Sequence, residues 1–132
     1  MDAHAEGTLE IASWDEQPLA DIDADRKLTT TNVTQQVHGD IEGEGSATWL
    51  AAYRADGTAE YVGFQRIDGR IGDAEGSIVL RMTGGYDGTV ARSEWEVVDG
   101  TGTGALAGLR GSGVSEASSD GTPMYTLEYV LG

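Results

Sequence analysis

The sequence predicts an all-β protein: a single closed antiparallel β-barrel of about eight strands, with residues 1–132 forming one domain. Three observations predict it. Runs of β-branched, aromatic and alternating apolar residues recur along the chain, and no segment sustains a helical apolar period. Asp-Gly dipeptides at 56–57, 68–69, 87–88, 99–100 and 120–121 fall between these runs, and Asp-Gly suits hairpin turns that need positive φ. A glycine-dense stretch, residues 101–113, reads as a bend, a bulge or a barrel corner, because Leu106 and Leu109 are too sparse for an amphipathic helix. Closure follows from the strand number, since closing a long meander removes its exposed edges.

Taken in order, strands are expected at 5–14, 28–38, 45–54, 59–67, 76–83, 89–98, 103–109, 112–117 and 123–131. Residues 15–27, from Asp15-Glu-Gln-Pro18 to Asp25-Arg-Lys27, carry the least strand character and read as a surface loop placed to cover one barrel mouth. Alternation sorts the strands into faces. Val33, Gln35 and Val37 share one face, as do Trp49, Ala51 and Tyr53; Val62 and Phe64; Ile78, Leu80 and Met82; Trp95 and Val97; and Tyr125, Leu127 and Tyr129. All of these are assigned to the lumen, with Glu60 and Arg66 flanking Val62 and Phe64 on the same face. Tyr61 is assigned to the outer wall, where burial in a homo-oligomer would stabilise so small a barrel.

Composition removes several function classes. The chain has 23 acidic residues against 8 lysines and arginines, a net charge of −15, which disfavours phosphate backbones and anionic membrane surfaces. Cysteine is absent, so there is no disulfide, thiol nucleophile or thiolate metal site. The N-terminal Met-Asp-Ala-His-Ala-Glu lacks the basic and apolar regions of a signal peptide, and no apolar run is long enough for a membrane-spanning helix; a cytoplasmic protein is expected.

Motifs add little chemistry. Asp21-x-Asp23-x-Asp25 resembles the start of an EF-hand loop, but Arg26 and Asn32 stand where its glycine and final glutamate belong. Asp40, Glu42 and Glu44 fall on one strand face and read as a charged outer wall, because two histidines provide few nitrogen ligands for a metal. No Gly-x-Ser-x-Gly elbow occurs, and no dinucleotide fingerprint sits between a strand and a helix. The lumen remains: an apolar interior rich in tyrosine and tryptophan with few polar groups suits a small molecule. A barrel of this strand number can equally be packed solid by its own side chains.

Several segments carry a family resemblance. Trp14-Asp-Glu-Gln-Pro18, Gly39-Asp-Ile-Glu-Gly-Glu-Gly45, Tyr53-Arg-Ala-Asp-Gly-Thr-Ala59, Gly76-Ser-Ile-Val-Leu80, Gly102-Thr-Gly-Ala-Leu-Ala-Gly-Leu-Arg-Gly111 and Tyr125-Thr-Leu-Glu-Tyr129 resemble the small bacterial proteins grouped as DUF3224. That group is similar in fold to the allene oxide cyclase and dirigent barrels. The resemblance implies an eight-stranded antiparallel barrel, often oligomeric, with ligand chemistry inside.

The reading placed first is a cofactor-independent cyclase- or isomerase-type enzyme acting in the lumen on a small hydrophobic or oxygenated substrate. Its catalytic candidates are Tyr53, Glu60, Arg66 and Tyr129; its ligand-binding candidates are Gln35, Trp49, Phe64, Met82, Trp95 and Tyr125; no metal and no cofactor are expected. A non-catalytic carrier barrel is the second reading. The third is a solid barrel that acts through its surface.

Overall fold

A computed structural model describes residues 3–118 and 121–131. Eight strands follow one another in the order β1 (Ala3–Asp21), β2 (Lys27–Gly39), β3 (Ile41–Tyr53), β4 (Ala59–Ile71), β5 (Ala74–Tyr86), β6 (Val90–Val97), β7 (Leu109–Ser118) and β8 (Met124–Leu131). Each pairs antiparallel with its sequence neighbours, and β1 pairs with β8 to close the barrel. No helix among the described residues is long and apolar enough to cross a membrane.

Three of the Asp-Gly dipeptides turn the chain as expected, with Gly57, Gly88 and Gly100 at positive φ. At the β3–β4 hairpin the Asp56 carboxylate accepts hydrogen bonds from the Thr58 amide (3.0 Å) and hydroxyl (2.7 Å), the local side-chain capture that makes aspartate a turn residue. Asp68-Gly69 does not turn. It lies inside β4, which runs on to Ile71, and Gly72 makes the turn into β5. There Gly69 serves packing, because a Cβ on it would meet the Glu42 carbonyl oxygen at 2.1 Å. The turn expected at Asp120-Gly121 includes Asp120, which lies outside the described residues.

Two further expectations are corrected. Residues 15–21 are strand, not loop: β1 runs to Asp21 and pairs with β2 as far as Lys27. The stagger that closure demands explains the length, because β8 pairs β1 only over Ala3–Thr8 and the rest of β1 rises past it. The strand expected at 103–109 is not formed either: only Leu109 is strand, as the first residue of β7. Gly104–Leu106 form a 3-10 turn, and the connection from β6 docks beside the lower end of β5, beyond the reach of β6. The Val98 amide donates to the Val79 carbonyl (2.9 Å), the Thr103 amide to the Ser77 carbonyl (2.9 Å) and the Ser77 amide to the Thr103 hydroxyl (3.0 Å). Gly76 permits this approach, since a Cβ there would lie 1.9 Å from the Thr103 carbonyl oxygen.

The lumen has two tiers. The end that carries this connection is packed solid: Val37, Ile41, Ile67, Ile71, Ile78, Leu80, Val97, Leu106, Leu109 and Leu127 are all buried in one cluster. The opposite end, where the β1–β2, β3–β4 and β5–β6 hairpins project, is not filled.

Candidate functional site

The unfilled tier is a cavity of about 350 Å³ that opens between the hairpins. Six of the nine aromatic residues line it: Trp14, Trp49, Tyr53, Tyr61, Tyr86 and Trp95. Parity puts them there. On β3 and β4 the odd-numbered residues face inward, so Trp49 and Tyr53 stand opposite Gly63 and Ala59 across the ladder, next to Tyr61. Gly63 leaves space for the Trp49 side chain, because a Cβ at 63 would sit 2.6 Å from the Trp49 Cβ. The Trp14 and Trp49 rings meet edge to face at 5.4 Å, and Trp49 and Tyr61 lie 5.8 Å apart.

Trp14 enters the cavity through a bulge. Along the lower part of β1 the inward residues are Ala5, Leu9 and Ile11. Between Ile11, paired with Gln35, and Ser13, paired with Thr34, Ala12 is left unpaired. One extra residue exchanges the faces of everything after it. Trp14 and Glu16 therefore turn inward, paired with Val33 and Thr31 of the inward face of β2.

Glu16 is held at the rim. The Tyr53 and Thr29 hydroxyls each donate to its Oε2 at 2.7 Å, and Lys27 Nζ lies 4.9 Å from the Tyr53 ring centroid. Partial burial opposes the Glu16 charge, but the Thr29 and Tyr53 hydrogen bonds, the Lys27 charge and the Trp14 indole outweigh it and hold the carboxyl below its ordinary range. Tyr53 moves the other way: burial first, then its bond to and the charge of Glu16, push the phenol up to about 12. Deeper on the wall the Tyr61 and Ser93 hydroxyls share a hydrogen bond at 2.8 Å. Burial raises the Tyr61 phenol, with the Ser93 bond pulling partly back.

Of the residues expected to form the site, Gln35, Trp49, Tyr53, Met82 and Trp95 line this cavity. Tyr125 and Tyr129 do not. Tyr125 lies beneath Trp95, stacked at 5.7 Å, and its hydroxyl accepts from the Ile41 amide (3.0 Å) and donates to the His38 carbonyl (2.9 Å), which makes it a core tie between β8 and the β2–β3 turn. Tyr129 is half-buried against the solid tier, opposite Ala3 across the β1–β8 ladder. Glu60, Arg66 and Phe64 point out of the barrel, as does Val62, because the inward residues of β4 are Ala59, Tyr61, Gly63, Gln65 and Ile67. The outward face of β4 is the more apolar one at its centre, and that misdirected the assignment. Tyr61, expected outside, faces in. The exposed apolar side chains of the outer wall include Leu28, Leu50, Val62 and Phe64 instead.

Sequence reasoning missed Trp14, Glu16, Tyr61, Gln65, Tyr86 and Ser93. One available signal was Gly63, whose missing side chain leaves room for Trp49 opposite it and so fixes the inward phase of β4.

Comparison with known proteins agrees with this architecture. A family model described as "Protein of unknown function (DUF3224)" matches residues 5–129. The crystal structure of a protein of unknown function from the DUF3224 family of Shewanella oneidensis MR-1 superposes with a TM-score of 0.79. The match is at 23% identity and covers 100% of this chain and 99% of that one, a likeness of fold. No curated protein matches the chain.

Proposed function

The chain belongs to the DUF3224 family, a family of unknown function, and from that premise we propose that it is a small-molecule-binding barrel whose ligand occupies the open tier of the lumen. The observation that carries this reading is the cavity of about 350 Å³ walled by six aromatic side chains. Its size falls inside the roughly 300–1,000 Å³ of small-molecule sites, and a mostly apolar wall with a few placed polar groups is their usual makeup. Leu106 and its cluster close the other end, so a ligand enters and leaves past Trp14, Tyr53 and Tyr86.

Binding is favoured over turnover by the groups at the rim. An effective acid or base titrates near the working pH. Glu16 is held below the ordinary glutamate range and Tyr53 is pushed up to about 12, so at neutrality the pair is a fixed carboxylate and a fixed phenol. Glu60 and Arg66 face solvent, outside the cavity. A cyclase or isomerase reading retains one supporting observation: a shaped apolar cavity can fold a substrate into a reactive conformer without acid–base machinery.

Titration with the neutral solvatochromic dye prodan tests the reading. Saturable binding with a blue-shifted emission is expected, weakened at least tenfold when Ala91→Trp fills the mouth and unchanged by Phe64→Ser on the outer wall. Binding that survives Ala91→Trp and is lost in Phe64→Ser would move the site to the outer wall and overturn the proposal.

A further inference from the structure

The floor of the cavity holds a chemical asymmetry. Trp95 and Gln65 both line it and are almost fully enclosed, at 2% and 1% exposure. The Trp95 Nε1 and Gln65 Nε2 atoms are buried with no hydrogen-bond partner among the described residues. Native interiors rarely leave buried donors unpaired, and each such group calls for a specific explanation. Gln35 stands beside them. A Cβ added at Gly45 would lie 2.8 Å from Gln65 Nε2, 3.1 Å from Gln35 Cγ and 3.4 Å from Gln35 Nε2, so glycine lets both glutamine side chains pack close against β3 and beside each other. The indole can only donate; the carboxamides donate as well as accept. The neighbouring Tyr61 and Ser93 hydroxyls already share a bond.

Charge narrows the ligand further. Among the described residues no lysine or arginine lines the cavity; Glu116 on its wall is paired with Arg92 outside it, and Glu16 at the rim has the Lys27 charge nearby. A carboxylate ligand would reach a floor whose lining holds no cation to meet it.

On the binding reading above, we propose that the ligand is a neutral, flat, largely apolar carbonyl compound that enters oxygen first, its oxygen accepting from the Trp95 indole and the Gln65 carboxamide. The aromatic walls contact its faces, and Met82 packs beside Trp95 across the β5–β6 ladder.

A matched set of probes tests it: fluorene, 9-fluorenone and fluorene-9-carboxylate, followed by quenching of tryptophan emission. Fluorenone is expected to bind roughly tenfold more tightly than fluorene, the scale of one net hydrogen bond, and the carboxylate most weakly. The infrared carbonyl stretch of bound fluorenone should fall below its value in an apolar solvent, a shift that an inert greasy pocket would not produce. Trp95→Phe and Gln65→Met, each checked for the native β circular dichroism, should remove the ketone preference while fluorene still binds. Equal affinity for fluorene and fluorenone in the unmodified protein, or a preference that survives both substitutions, overturns this inference and leaves the binding reading standing. Failure of both neutral probes to bind overturns the two together.

Discussion

Tyr125 commits its hydroxyl to the backbone, accepting from the Ile41 amide and donating to the His38 carbonyl. Tyr125→Phe leaves a buried amide without its acceptor, so chemical denaturation should show a loss of about 1–3 kcal/mol, with prodan binding unchanged. Tyr53 has the opposite assignment. Its phenol is pushed up to about 12 by burial and then by Glu16, so in Glu16→Gln the tyrosinate absorbance change of this residue should move down towards pH ~10. Tyr125, also at about 12 mainly through burial and without Glu16 as a partner, should stay in place. At this scale the sequence was half legible. Gln35, Trp49, Tyr53, Met82 and Trp95 were placed on the cavity wall by alternation alone. Phe64 and Tyr61 were exchanged because the centre of β4 puts apolar side chains on both faces, and hydrophobicity cannot then set the phase.

The bulge at Ala12 decides what β1 contributes to the mouth. Ala12 is the extra residue, so the pairs above it, Ser13 with Thr34 and Trp14 with Val33, keep Trp14 and Glu16 on the inward side of the ladder. Trp14→Ala removes the edge-to-face contact with Trp49, at a cost of about 0.5–1.5 kcal/mol for such a pair. The expected result is a barrel with native circular dichroism and prodan affinity reduced several-fold; unchanged affinity would show that the upper part of β1 is not a wall of the site. This element was the least legible part of the chain. Asp15, Glu16, Pro18 and the aspartates that follow resemble a loop because β1 rises beyond β8 there and is solvated along one side. A free strand edge tolerates proline and favours charge, which guards it against pairing with other chains. The connection through residues 99–108 misled in the other direction. Its Gly104 serves a close approach to β5, and its hydrogen bonds to Ser77 and Val79 mimic a strand without being one.

The barrel as a whole was the most legible, because seven of its eight ladders join strands adjacent in sequence and hairpin signals are local. Closure is the exception. The β1–β8 ladder spans only Ala3–Thr8 against Tyr129–Met124, and His4 bonds Glu128 across it. That bond, offset in part by desolvation and helped by the charges of Glu128 and Glu6, raises the His4 pKa. A raised pKa means that this contribution to closure is complete below the unfolded histidine value near ~6.5 and is lost as pH rises through the folded one. An NMR titration should find His4 above 6.5 in the unmodified protein and close to that value in Glu128→Gln.

The position of this seam also dictates an order of events. Leu9, Ile11 and Trp14 wall the cavity on one side of it, and Ser115, Ala117 and Pro123 on the other. On a ribosome the first of these walls is made long before the second, and hairpins can zip in sequence while the curved sheet stays open. Only the arrival of the last strand joins the two walls. Any molecule that lodges between them therefore comes too late to guide assembly; it lengthens the life of a barrel that has already closed.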